Sequence, residues 1–382
     1  MAILKEKIKK ILVISLQGIG DLLLFTPCLP VLKRNFPNAK ISMLILHYTK
    51  EIIENNPYIG NIMIYHYHPT KVNYFEILKL LVKLRKEKFN LVICSFPTGL
   101  RSALIAYLAG IDIRCGHRYT FIKKLPFLFN MKVDIPKLKH VIDLNLDLLS
   151  ALGIDITKVD KKLFIPLMPQ DTNFVIKFLQ RNNISNQDLL IGINPGTDVL
   201  KKEKCWPKEK FIRLIERLIR QFKAKVVLIG GRSERSLSIE IASIFKTNIV
   251  DATGIMSLKQ TAALIEKCNL FIGNDSGLIH ISVAMNTPTI AIFGPTDPRL
   301  YKPYGPKHVV IRKGLECSPC AYGVCGNLEL IERNIGFNKG TFRCEKGTFE
   351  CIKSIEVKEV FDAARNIILN LKKHNRELKN EN

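Results

Sequence analysis

Short apolar runs of strand length alternate along the chain with longer stretches of helical period. The runs at residues 11–15, 41–46, 61–65 and 91–94 have the continuous hydrophobicity of strands buried on both faces. Helices are expected at about 74–88 and 98–109, and one that opens in the glycine turn after residue 15 is expected to reach Phe36 and Pro37. Strands alternating with helices argue a parallel sheet, and thus an α/β fold. The character changes between residues 153 and 172, where Pro166 and Pro169 separate two helical stretches. Beyond them lies a second series, with strands at 189–194 and 225–230 and helices at 207–222 and 235–245. The expectation is two Rossmann-like doubly wound domains facing a cleft. The first covers residues 1–165 and the second residues 166–354, with a Cys-rich segment at 317–351. Residues 355–382 form a last helix and tail, the helix packing back across the domains.

The most informative stretch is residues 270–298, LFIGNDSGLIHISVAMNTPTIAIFGPTDP. It reads as strand, turn, helix, strand and a Gly/Pro loop. A helical crossover makes the two strands parallel, so both loops leave at their carboxyl ends, where open α/β sheets bind ligands. Free backbone N–H groups from about Ser276 to Ile279, with His280 in the first helical turn, can hold a phosphate. Asp275 would repel that phosphate unless it faces sugar hydroxyls, which points to a phosphorylated sugar; the bland alternative is a helix cap. Pro195, Gly196 and Thr197 turn the chain after the earlier strand, and Lys204 precedes Trp206 by two. A lysine there can neutralise leaving-group charge, with Lys201 and Lys202 as competitors. Glu234, just past Gly230 and Gly231, could accept hydrogen bonds from ribose hydroxyls.

The first glycine turn, Gly18 to Gly20, does not complete a dinucleotide fingerprint. Leu23 stands where the third glycine belongs, and no acidic residue ends the next strand. Asp21 is left at the top of the first helix, facing whatever enters above the sheet.

Charge adds a partner class. The chain has 58 Lys and Arg against 34 Asp and Glu, a net +24, and residues 1–165 hold 25 basic and 12 acidic side chains. Such a field attracts nucleic acid, acidic lipid headgroups or phosphorylated sugars. Residues 113–139 interleave Arg114, Arg118, Lys123 and Lys124 with aromatics, a pattern that suits an acidic, partly lipidic substrate as well as nucleic acid. The apolar start breaks at Gln17 to Asp21, too early for a signal peptide, and no run reaches the length of a membrane span. A cytoplasmic protein with reduced cysteines is expected, in peripheral contact with a membrane at most. Cys317, Cys320, Cys325, Cys344 and Cys351 cluster late in the chain. They could hold a structural zinc or remain free structural thiols, since the later spacings fit no standard knuckle.

Taken together, GIGDLLLFTP, PGT followed by KCWP, GG followed by Glu234, and NDSGLIH with FGPTDP resemble glycosyltransferase family 9, the ADP-heptose:lipopolysaccharide heptosyltransferases, over about residues 10–312. The resemblance implies a GT-B architecture and an inverting transfer of heptose or a related sugar from an ADP-sugar to a lipopolysaccharide core or other cell-surface glycan. No cofactor or catalytic metal is implied. It casts Asp21 as catalytic base, Lys204 and His280 with the 276–278 backbone as diphosphate contacts, Glu234 as a ribose contact and Asp275 as a donor-sugar contact. Thr197, in the PGT motif, joins the donor set. Arg101, Arg114, Arg118, Lys123 and Lys124 are candidates for an anionic glycolipid acceptor, which would draw the enzyme to the inner membrane surface. Two alternatives stay open. One keeps the fold with another nucleotide sugar and acceptor. The other is a basic nucleic-acid-binding protein with a Cys–metal cluster, disfavoured because the basicity is spread and no nucleic-acid module is present.

Overall fold

The computed structural model describes residues 5–66, 73–118, 124–135, 137–197, 203–319, 344 and 347–380. The chain forms two compact units, one built essentially from residues 1–166 and the other from residues 167–298, 302–320 and 340–382.

The first unit holds six strands: β1 Lys10–Ser15, β2 Lys40–Leu46, β3 Asn61–Tyr65, β4 Leu91–Cys94, β5 Ile113–His117 and β6 Met131–Val133. Their order is β3-β2-β1-β4-β5-β6 and every pairing is parallel. Between β1 and β4 the order reverses, so the loops after these strands diverge and leave a crevice at their carboxyl ends. Gln17 Nε2 crosses this point to the Pro97 carbonyl at 3.0 Å. Asn145, fully buried on the helix Val141–Ser150, accepts from the Phe96 N–H at 2.8 Å and donates to the Leu24 carbonyl at 3.4 Å.

Two expectations change here. The first helix does not run on to Phe36: it is split into Ile19–Phe25 and Cys28–Asn35. Pro27 has no N–H to continue the ladder, and both the N–H and the hydroxyl of Thr26 turn back to the Leu23 carbonyl. The stretch 113–139 is more than a basic surface, since it contains β5 and β6.

In the second unit β7 is Leu190–Asn194, β8 Lys225–Leu228, β9 Ile249–Asp251, β10 Leu270–Asn274, β11 Thr289–Phe293 and β12 His308–Arg312. The order β12-β11-β10-β7-β8-β9, again all parallel, repeats the first unit's topology, with the reversal between β7 and β10. β7 and β10 are buried along their whole length, as the apolar runs that precede their terminal asparagines demand. The last helix, Val357–Asn380, packs within this unit: Val360, Phe361, Ala364 and Ile368 join the core with Phe211, Leu214 and Leu218 of the helix Lys208–Phe222.

His117, at the end of β5, is fully buried and edge-on to Phe96. Burial pushes its pKa down to about 3; the nearby Leu144 backbone opposes this and the Lys139 charge adds to it. The ring stays neutral in the fold while the unfolded chain takes up a proton below its ordinary value. Its contribution to stability is therefore complete above about pH 6.5 and falls by about 1.4 kcal/mol per pH unit on acidification towards pH 3. Urea unfolding at several pH values should show this slope in the wild type and a shallower one in His117→Phe.

Candidate active site

Most of the predicted donor residues meet at the carboxyl ends of β7, β8 and β10. The organising groups are two buried asparagines. Asn274 ends β10 and donates through Nδ2 to the carbonyls of Pro195 and Gly196, at 3.0 and 3.1 Å, while its Oδ1 accepts the Trp206 N–H at 2.9 Å. One amide thus holds both ends of the loop after β7. Trp206, itself buried, is fixed by its indole N–H to the Ile355 carbonyl at 2.9 Å and by an edge-on contact with Phe211.

Asn194 ends β7 in the same manner. Its Nδ2 donates to the Ile229 carbonyl at 2.8 Å and to Glu234 Oε1 at 3.3 Å, and its Oδ1 accepts from Ser276 Oγ at 3.3 Å. Because the Ser276 hydroxyl turns to Asn194, it does not cap the helix Gly277–Ala284. Ser276, Gly277 and Leu278 are half-buried at the start of that helix, whereas Asp275 and His280 on either side are buried. The Ile279 N–H is already bonded to the Ser276 carbonyl, which narrows the expected anion cradle to the residues before it.

Lys204, anchored next to Trp206, sends its ammonium to Asp275 Oδ2 at 2.5 Å, and both side chains are nearly buried, at 12% and 8% exposure. Burial alone would raise the Asp275 carboxyl. The Lys204 charge and hydrogen bond, the nearby Thr296 hydroxyl and His280 outweigh it and hold the group below the ordinary carboxylate range. Asp275 is therefore not the helix cap, and a cation and an anion stand fixed beside a helix N-terminus.

Glu234 sits in a glycine seat. Its Oε2 accepts the Gly231 N–H at 2.6 Å, and a Cβ at Gly196 or Gly230 would collide with its carboxylate. The Thr197 hydroxyl lies 3.3 Å from Cys205 Sγ. Asp21 is half-buried in the first turn of Ile19–Phe25, in the first unit, and Leu23 below it is fully buried, filling the space a dinucleotide motif leaves to glycine.

The acceptor candidates fare differently. The Arg114 guanidinium donates to the carbonyls of Ile111, Phe127 and Leu128 inside the first unit, which makes it a tether for the chain. Arg118 is held by Asp134 through two bonds of 2.9 and 2.8 Å, which neutralises it. Arg101 lies over the Tyr65 ring near the carboxyl edge of the sheet, and Lys124 is exposed. Lys123, Lys201, Lys202, Cys320 and Cys325 lie outside the described residues. Cys317 and Cys344 are near enough to Cys351 to add to the effect of burial in raising its thiol. Among the described residues no group of three or more His, Cys, Asp or Glu side chains is placed to hold a metal ion, and no helix is long and apolar enough to cross a membrane.

Two doubly wound units of one strand order, with polar groups gathered at a switch point, define the GT-B class of glycosyltransferases. Solved structures share this fold over nearly the whole chain. A glycosyl transferase family 9 protein from Veillonella parvula is 24% identical with a TM-score of 0.76, covering 96% of this chain and 99% of that one. E. coli ADP-heptose LPS heptosyltransferase II is 20% identical with a TM-score of 0.71, covering 95% and 99%. The family model described as glycosyltransferase family 9 (heptosyltransferase) matches residues 77–330. Lipopolysaccharide heptosyltransferase 3 of Escherichia coli K12 is 31% identical over 297 residues, 75% of this chain and 82% of its own. The chain belongs to glycosyltransferase family 9.

The buried pair carries a stability prediction. Asp275→Asn leaves the Lys204 ammonium without its counter-charge and should destabilise the second unit by on the order of 3 kcal/mol at neutral pH. The folded pKa of Asp275 is depressed, so its contribution is present above the ordinary carboxylate range and disappears as the pH falls through the folded value. The difference between wild type and variant in chemical denaturation should shrink accordingly in acid.

Proposed function

We propose that the enzyme transfers heptose, or a related sugar, from an ADP-sugar to a lipopolysaccharide core or other anionic cell-surface glycan with inversion at the anomeric carbon. The observation that carries this reading is the buried Lys204–Asp275 pair beside the Ser276–His280 turn, in a family whose relatives are named lipopolysaccharide heptosyltransferases. On this reading the 276–278 backbone and Lys204 take the donor diphosphate, helped by His280. Asp275 faces the donor sugar and keeps Lys204 aimed at the leaving group. Glu234, seated on Gly196, Gly230 and Gly231, meets the ribose, with Thr197 at the edge of the same pocket.

The chemistry needs no metal on this account. An acceptor hydroxyl oxygen attacks the anomeric carbon as the bond to the nucleotide diphosphate breaks, and Asp21 accepts the hydroxyl proton. The charge that builds on the departing diphosphate is met by Lys204 and by backbone N–H groups. Arg101, Arg114, Arg118, Lys123 and Lys124 stay the acceptor candidates, with Arg114 and Arg118 held by contacts inside the first unit. A lipid-linked acceptor calls for peripheral contact with the cytoplasmic side of the inner membrane. The thiols Cys317, Cys344 and Cys351 are assigned a structural role, with zinc as the metal to test.

Calorimetric titration in EDTA with ADP, UDP, GDP and CMP tests the donor: selective ADP binding is expected, and preference for another nucleotide would overturn the ADP assignment. Lys204→Ala should weaken ADP by about tenfold to a hundredfold, the loss of one or two charge-assisted hydrogen bonds. Asp21→Asn should abolish transfer with ADP binding intact; unchanged transfer would remove Asp21 from the base role.

A further inference from the structure

The helix Tyr74–Glu87 in the first unit is apolar on two sides. One side, Ile77, Leu80, Leu81 and Leu84, packs into the core. The other is open: Tyr74, Phe75, Leu78 and Val82 are 78%, 64%, 59% and 44% exposed. Tyr74, Leu78 and Val82 succeed one another at intervals of four, so they form a stripe along the helix, with Phe75 beside it. Lys79, Lys83 and Lys86 run next to that stripe at the same helical spacing and are all exposed. Lys79 Nζ lies 4.5 Å above the Phe75 ring. The surface continues onto the helix Leu100–Leu108. Arg85 Nε donates to the Leu108 carbonyl at 3.1 Å, and there Leu104, Tyr107 and Leu108 are exposed.

We infer that this face docks the enzyme on an anionic lipid bilayer. A soluble fold leaves large side chains open singly, but a stripe of four on one helix needs an apolar medium to cover it. Lysines along the edge of an apolar stripe are what an interfacial helix presents to acidic headgroups, their stems lying on the apolar surface and their ammonium groups reaching the phosphates. The excess of 25 basic over 12 acidic residues across positions 1–165 has the same sign. Two copies of the chain meeting through this face would set lysine stripe against lysine stripe, and a nucleic acid would use the cations while leaving the aliphatic stripe in water. The inference deepens the membrane contact of the proposed function. Its readout is lipid binding, so its failure leaves the nucleotide titration untouched.

The test is flotation of the full chain with vesicles of phosphatidylglycerol and phosphatidylethanolamine, against vesicles of phosphatidylcholine alone. The wild type should float with the anionic vesicles and be partly released by salt. Replacing both Phe75→Ser and Leu78→Ser should weaken that binding by on the order of tenfold or more, and Lys79→Glu with Lys83→Glu should remove the preference for anionic lipid. Both variants alter exposed positions, and an unchanged circular dichroism spectrum and thermal unfolding midpoint verify their fold. Wild type that stays with neither vesicle, or an apolar variant that floats as the wild type does, overturns the proposal. So does a wild-type dimer in sedimentation that the apolar variant converts to monomer, since the face would then be a protein interface.

Discussion

The second unit depends on one buried amide. Asn274 lies at the reversal of strand order, where the two central strands send their loops in opposite directions, and its three hydrogen bonds hold the loop after β7 at both ends. A buried amide left unsatisfied costs about as much as several net hydrogen bonds contribute. Both described ends of the loop are therefore fixed, and Lys204 lies two residues before the clamped Trp206. The Lys204–Asp275 pair then closes the site from the next residue along β10. The first unit repeats the device with another residue in the role: Asn145 ties the loop after β4 to the helix that carries Asp21.

The charge arrangement results from this backbone. A lysine and an aspartate taken together out of water form a neutral unit that the fold tolerates, whereas either alone would be costly. The aspartate holds the orientation of the ammonium. Glu234 is prepared in the same way. Two glycines, Gly196 and Gly230, leave room for its carboxylate, and the Gly231 N–H with the Asn194 amide fixes it. The candidate donor-site groups of this unit are thus positioned by hydrogen bonds at strand ends.

The basic residues separate into kinds that composition alone cannot distinguish. Arg114 satisfies carbonyls between β5 and β6 and Arg118 is neutralised by Asp134. Lys79, Lys83 and Lys86, beside the exposed apolar stripe, are themselves exposed. A net charge of +24 is therefore no measure of ligand-binding capacity; what counts is which cations keep their donors for something outside the protein.

The chain alone determined the alternation of buried strands and helices, because strands covered on both faces must be apolar throughout, and that pattern is local. It also determined the site motifs, since a glycine turn and a polar tetrad between a strand and a helix are contiguous residues. Short edge strands such as β6 and β9 were illegible: with three residues each, their strand character comes from the neighbour they pair with. Asn194 and Asn274 were passed over for the same reason. Each was visible as a polar residue ending an apolar run, but its partners lie in segments distant in sequence. The tertiary structure alone decided that Lys204 meets Asp275, that Arg114 bonds to carbonyls of its own unit and that Tyr74, Phe75, Leu78 and Val82 of the helix Tyr74–Glu87 are exposed. Each is a question of which groups compete for the same space, and only the packed chain answers it.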